Sequence, residues 1–245
     1  MTFLFPLVAA LAASFISTLT GFGFALIALP AFAVVMDAKS SVALSMLLFS
    51  VLGPFFAWSA RHEVDVPLLK RLLLSSLPGL PIGTLFISTV GDGALRLVIG
   101  ATIVVAALLL AFDRRPTIAA PRRAAIVIGF ITGVLTTSVG ASGPLVVVFL
   151  ASQRTSNESL RATGGAFMVG MIPVSFVLFA ISGLVTAAGV LTAIQLAPAI
   201  IVGYLAGLRV LPMVNPVVFR RIVVALVLAS GATMLVSAAG KLLVL

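Results

Sequence analysis

The stretch Ser138-Val139-Gly140-Ala141-Ser142-Gly143-Pro144, followed by the apolar run Leu145 to Leu150, decides how this chain is read. It interrupts a long apolar segment, Ala124–Ser152, with residues that break a helix. A second interruption, Thr20-Gly21-Phe22-Gly23-Phe24, followed by Ala25 to Pro30, lies inside the apolar segment Phe3–Met36. Backbone amides and carbonyls freed by such breaks cannot be satisfied by lipid. They persist at membrane depth only when buried in protein or lining a polar cavity. Paired breaks at matching places in two halves are the best sequence pointer to a transporter binding site.

The surrounding composition makes membrane depth the relevant setting. The 245 residues are 62% hydrophobic and only 9% charged, against roughly 45–50% and about 25% in ordinary soluble domains. The expected fold class is an all-α polytopic membrane protein. A β-barrel would need alternating segments of roughly ten residues around a polar lumen, whereas Val98 to Phe112 is apolar on every side. The net charge of +9 does not indicate nucleic acid, because the bases fall in short clusters between apolar runs, as the positive-inside rule expects. There is no cysteine, which excludes disulfides and thiolate chemistry. The first apolar stretch lacks a basic n-region and runs on to Met36, so it reads as mature structure rather than a signal peptide.

Charged punctuation divides the chain into the apolar segments Phe3–Met36, Val42–Ala60, Leu68–Val90, Ala94–Phe112, Ala124–Ser152, Leu160–Ser182, Ala188–Leu208 and Val217–Ala239. The first and fifth are too long for one span of about 20 residues. Both contain the breaks, and their second arms, Phe24–Met36 and Pro144–Ser152, are too short to span alone. The halves also resemble each other. Gly21 matches Gly140 and Ala43 matches Ala162 at an offset of 119. Pro78 and Gly83 match Pro198 and Gly203 at 120, and Arg96 matches Arg220 at 124. The expected organisation is an N-terminal repeat over 1–115, a basic linker loop at 116–123 and a C-terminal repeat over 124–245, in one membrane domain.

Loop charge separates two topologies. With eight single crossings, lysine and arginine divide seven against eight. If each long segment enters and returns as a re-entrant hairpin, twelve fall on one side and only Lys39, Arg96 and Lys241 on the other. The second arrangement obeys the positive-inside rule. It implies two inverted repeats, each a hairpin plus three spans, with both termini outside.

At each break a short helix starts inside the membrane with unpaired amides and partial positive charge, a ready anion site. Candidate substrate-binding residues are Thr20, Gly21, Phe22, Gly23, Ser138, Gly140, Ala141, Ser142, Gly143 and Gln195. Close helix packing is the alternative use of such small residues. Gln195 could instead hydrogen-bond a neighbouring helix. Arg154 is a candidate electrostatic or gating residue at the cytoplasmic mouth, with interfacial snorkelling the alternative. Trp58 reads as an interface anchor. His62 lies in a charged loop between Arg61 and Glu63. No carboxylate falls inside a span, which argues against a cation pump and fits an anion carrier. There is no nucleophile–base pair, metal-ligand spacing or phosphate loop, so neither an enzyme nor a cofactor is expected.

The glycine-broken first segment, the break in "SVGASGPLVVVFLASQR", the following "NESLRATGGAF" and the Pro-x4-Gly of each half resemble the sulfite exporter TauE/SafE family of bacterial membrane transporters. The resemblance covers nearly the whole chain. It implies carriage of sulfite, sulfoacetate or similar sulfonates across the bacterial inner membrane. The first-half glycine cluster is thinner than the family's, with Phe22 and Phe24 flanking Gly23. The expected partners are a small anionic substrate and the lipid bilayer. A coupling proton and a homodimer stay open, as do a carboxylate or neutral substrate and a non-transporting membrane scaffold.

Overall fold

The computed structural model describes residues 3–21, 23–59, 63–111, 121–153, 156–214 and 216–242. The described residues are helical: α1 (Leu4–Thr20), α2 (Phe24–Val35), α3 (Ala38–Ser59), α4 (Val66–Ser76), α5 (Gly79–Thr89), α6 (Asp92–Ala111), α7 (Pro121–Ser138), α8 (Gly143–Ser152), α9 (Asn157–Ile181), α10 (Ala187–Val210) and α11 (Pro216–Leu242). Five of them, α3, α6, α9, α10 and α11, are long and apolar enough to cross a membrane. The bent pair α4–α5 makes a sixth if it is one span.

Both breaks lie where the glycines are. α1 ends at Gly21, which caps it in the left-handed region at φ 81°, and Gly23 starts α2 at φ 96°. A Cβ resists such angles, and glycine has none. Gly140, at φ 68°, turns the chain between α7 and α8. Pro144 falls in the first turn of α8, where no amide partner is needed.

Two boundaries differ from the sequence reading. Pro121, Arg122 and Arg123, assigned to the linker, are the first turn of α7; the rest of that linker lies outside the described residues. The third apolar segment is not one straight helix. It bends by 43° between α4 and α5, at Leu77-Pro78, because Pro78 has no amide to donate back into α4. Pro198, which the sequence reading aligned with Pro78, sits inside the continuous α10.

Glycines set the closest helix contacts. Gly203 faces the Leu11 carbonyl and Ser14, and Gly207 faces Thr18 and Phe15, so α10 runs alongside α1 in the same direction. Ser14 donates to the Ile200 carbonyl at 2.7 Å in this seam. Gly79 faces Phe130 and Val134, Gly83 faces Val134 and Thr137, and Gly133 faces Ser76, so α4–α5 runs alongside α7 in the same direction. There Thr137 donates to the Leu80 carbonyl at 2.7 Å. Each seam is a Gly-x3-Gly face that lets backbones approach closely. The glycines in equivalent seats are Gly79 with Gly203 and Gly83 with Gly207, each 124 apart. That is the Arg96–Arg220 offset, not the 120 that aligning Pro78 with Pro198 gives. α3 packs against α9 in the opposite direction, with Gly53 against Val169 and Ile172 and Gly165 against Phe56. α6 and α11 pair likewise, Gly100 facing Met234 and Leu235 while Gly231 faces Ile103 and Val104.

Candidate functional site

The two breaks, 119 residues apart, line one cavity of about 90 Å³. Gly21, Gly23 and Phe24 come from the first, and Gly140, Ala141, Ser142, Gly143 and Pro144 from the second. At roughly 15 Å³ per water site the space holds a small solute and excludes a bulky one. Its side walls are α3, through Val42, Ser45, Met46, Phe49 and Phe56, and α9, through Gly165, Met168, Met171, Ile172 and Ser175. A smaller space of about 20 Å³ adjoins the same tips through Thr20, Gly21, Gly143 and Met168.

Both short helices begin at this cavity without a side-chain cap. In α2 the Leu26 amide already donates to the Gly23 carbonyl at 3.0 Å, and the amides ahead of it, like those that open α8, have no partner within their helix. Ser142 stands at the cap position of α8, but its hydroxyl is turned away from the helix. It lies 2.7 Å from Thr136 Oγ1 and 3.8 Å from Met168 Sδ. Thr136 Oγ1 donates to Ser142 Oγ or to the Thr132 carbonyl, 2.8 Å away, with its single hydrogen, and Ser142 donates to Met168 Sδ. Thr20 bonds the carbonyl of Ile16 at 2.9 Å. Ser138 is buried and bonds the carbonyl of Val134 at 2.6 Å, lining neither cavity.

The sequence-selected residues thus separate. Gly21, Gly23, Gly140, Ala141, Ser142 and Gly143 meet at the main cavity, and Thr20 reaches the smaller one. Gln195 is exposed on α10 and lines neither. Phe22 and Arg154 lie outside the described residues, as does His62.

Sequence reading missed two groups. Ser45 and Ser175 are 3% and 1% exposed, belong to the residues around the main cavity, and have no hydrogen-bond partner among the described residues. Their signal was a serine inside an uninterrupted apolar run, which lone glycine breaks outshone. The second group holds α2. Arg96, buried on α6, pairs with Asp92 at 2.8 Å and donates to the Ala33 and Met36 carbonyls at the far end of α2. The spacing Asp92-x3-Arg96 was the available clue. Lys39 donates to the Ser88 carbonyl at 2.8 Å beside this cluster.

Among the described lining residues the cavity has no charged side chain. Its polar groups are hydroxyls and the amides of two helix starts, arranged against phenylalanine, methionine and aliphatic walls. Such a site can bind a small solute that accepts hydrogen bonds. No group of three or more histidine, cysteine, aspartate or glutamate side chains gathers among the described residues. A family model described as Sulfite exporter TauE/SafE matches residues 6–234. No curated protein and no solved structure matches.

Proposed function

The chain belongs to the sulfite exporter TauE/SafE family, a family of membrane transporters, and from that premise we propose a secondary transporter of a small anion. The substrate class is a sulfur oxyanion or organosulfonate such as sulfite or sulfoacetate. The observation that carries this reading is the convergence of two uncapped helix N-termini on one cavity. Each terminus offers amide donors and a partial positive charge. Gly21, Gly23, Gly140, Ala141 and Gly143 let an anion approach the backbone, and Ser142 and Thr20, whose hydroxyls are engaged by Thr136 and Met168 and by the Ile16 carbonyl, would donate to it on exchanging those partners. Arg154 would draw anions toward the cytoplasmic mouth.

The proposed architecture is two inverted repeats, 1–115 and 124–245, each a re-entrant hairpin plus three spans. Several contacts support it. α1 runs with α10, while α10 follows the antiparallel partner of α3 through a short turn. α1 and α3 then point the same way, and α2 between them turns back. The same reasoning through α7, α4–α5 and α9 turns α8 back. The α1–α10 and α7–α5 seams support reciprocal packing of the first helix of each repeat on the fourth segment of the other. Alternating access follows if these cross-repeat units rock about the cavity, in a bacterial inner membrane with Lys39 outside.

Proteoliposomes test the function directly. Flux of sulfite, sulfoacetate and acetate is measured with and without a pH gradient, which also reads proton coupling. Saturable flux of a sulfur anion, lost in Gly143→Leu with the protein still inserted, is expected. No flux of any anion would sink the reading.

A further inference from the structure

The main cavity and the smaller space beside it share three of the described residues, Gly21, Gly143 and Met168. Two of these are glycines, so Met168 carries the one side chain common to both linings. Methionine is unbranched, with three rotatable bonds, and such a side chain can swing where a backbone cannot. The smaller space, about 20 Å³, takes roughly one water and no sulfur oxyanion. An anion in the main cavity cannot leave through it in this state.

The smaller space leads in one direction. Leu160, Gly164 and Met168 line it at four-residue steps along α9, a spacing that sets them on one face. Leu160 is in the first turn of α9. α8 contributes Val146 and Val147, one turn beyond Gly143 and toward the same end. The space therefore runs from the cavity toward the connection between α8 and α9, which is cytoplasmic in the proposed topology.

Ser142 ties the Met168 side chain down. Its hydroxyl donates to Met168 Sδ at 3.8 Å and has Thr136 Oγ1 behind it at 2.7 Å. Ser142 lines the main cavity but not the smaller space, so it holds the methionine from the cavity side. A thioether is a weak acceptor, which makes this a tie that thermal motion can release.

Building on the transporter reading above, we propose that Met168 is the gate between the binding cavity and the cytoplasm, and that the Ser142 hydroxyl holds it shut. With Met168 swung aside the two spaces join, and the anion has a way out between α8 and α9.

A single thiol reads the gate, because the chain has no cysteine. Gly164 lines only the smaller space, and a Cβ there meets nothing closer than Leu150 Cδ1 at 3.5 Å. The Gly164→Cys protein is treated from outside, in right-side-out vesicles, with the small anionic reagent sulfonatoethyl methanethiosulfonate. Sulfite flux is recorded on the same protein in proteoliposomes. Reaction should be slow in Gly164→Cys alone and roughly tenfold faster once Met168→Ala is added. Met168→Leu keeps the bulk but loses the sulfur, and should speed reaction about threefold, the loss of one weak hydrogen bond. Ser142→Ala should match Met168→Leu, and the two together should add nothing, because both remove the same bond. From the cytoplasmic face, in inside-out vesicles, the Met168 variants should leave the rate unchanged. A rise there as well would report loosened packing and overturn the gate. So would a Met168→Ala rate equal to that of Gly164→Cys alone, with flux intact. If Met168→Ala fails to insert, an unchanged rate in Met168→Leu overturns the tie to Ser142, as do additive effects of Ser142→Ala and Met168→Leu. No flux of any anion overturns the transporter reading, and the gate with it.

Discussion

Arg96 donates to the Ala33 carbonyl at 2.6 Å, and so the first turns of α6 hold the last turn of α2. A second donation, to the Met36 carbonyl at 2.9 Å, completes the grip. Asp92 balances the guanidinium at 2.8 Å through one oxygen and accepts from the Ala38 amide at 2.6 Å through the other. A cation at a helix C-terminus is favourable, since the last carbonyls carry partial negative charge. The clamp fixes one end of α2 while the other end opens on the cavity.

Removing the guanidinium should be expensive. Arg96→Met leaves Asp92 and two carbonyls without their partner, and breaking a buried pair this way costs about 3 kcal/mol. A lower midpoint of denaturant unfolding in detergent micelles is the expected outcome. Arg96→Lys should fall between the two, because it keeps the charge but not the forked geometry. An Arg96→Met protein as stable as the parent would show that the clamp contributes nothing.

The glycine seams make a graded prediction. A methyl group at Gly83 would meet the Val134 carbonyl and Thr137, and one at Gly203 would meet the Leu11 carbonyl and Ser14. Backbone cannot move aside easily, so Gly83→Ala and Gly203→Ala should each lose about 1–3 kcal/mol. Gly91 has nothing within 4 Å of an added Cβ. Gly91→Ala should leave the unfolding midpoint where it is, and equal losses at all three positions would contradict the packing described.

Topology can be read by labelling, since the chain has no cysteine. Lys39 follows α2 and Arg123 lies in the first turn of α7. Single cysteines at Lys39 and Arg123 should label from opposite faces of right-side-out vesicles with a membrane-impermeant maleimide, Lys39 from outside together with a tag at the N-terminus. Lys39 and the N-terminal tag on opposite faces would rule out the hairpin arrangement, since Lys39 and Arg123 are separated by the same three segments in either topology.

Asp37, in the connection between α2 and α3, has a direction of its own in pH. Burial pushes its carboxyl up, but hydrogen bonds from Ser40 outweigh this and hold it below the ordinary carboxylate range. A depressed folded value means that the stabilisation is present above the unfolded value, about 3.9. It fades as pH falls through the folded value. Melting curves between pH 7 and pH 3 should therefore show a smaller acid loss in Asp37→Asn than in the parent. An equal loss would mean that Asp37 does not contribute to the acid sensitivity.

Much of the site was legible because its signal is local. Gly21, Gly23 and Gly140 take positive φ, and a glycine in an apolar run announces such a turn without any partner. Pro144 likewise announced the start of α8. Ser45, Ser175 and Arg96 were less visible, because their meaning depends on what faces them. A serine in a span is ordinary until its buried hydroxyl makes no bond among the described residues. Gln195 is the opposite case, a polar residue in a greasy segment that α10 turns outward. Its face depends on which side of α10 packs on α1, and Gly203 and Gly207 decide that.

Composition and glycine placement by themselves determined an all-helical membrane chain with two breaks, while the family rested on the resemblance of its motifs. These are properties of solvation and of single backbone positions, which need no tertiary partner. Tertiary packing alone decided that the breaks share one cavity and that Gly79 answers Gly203 and Gly83 answers Gly207. Those outcomes depend on helices distant in sequence meeting at van der Waals distance, where one added methyl or one missing donor decides the fit.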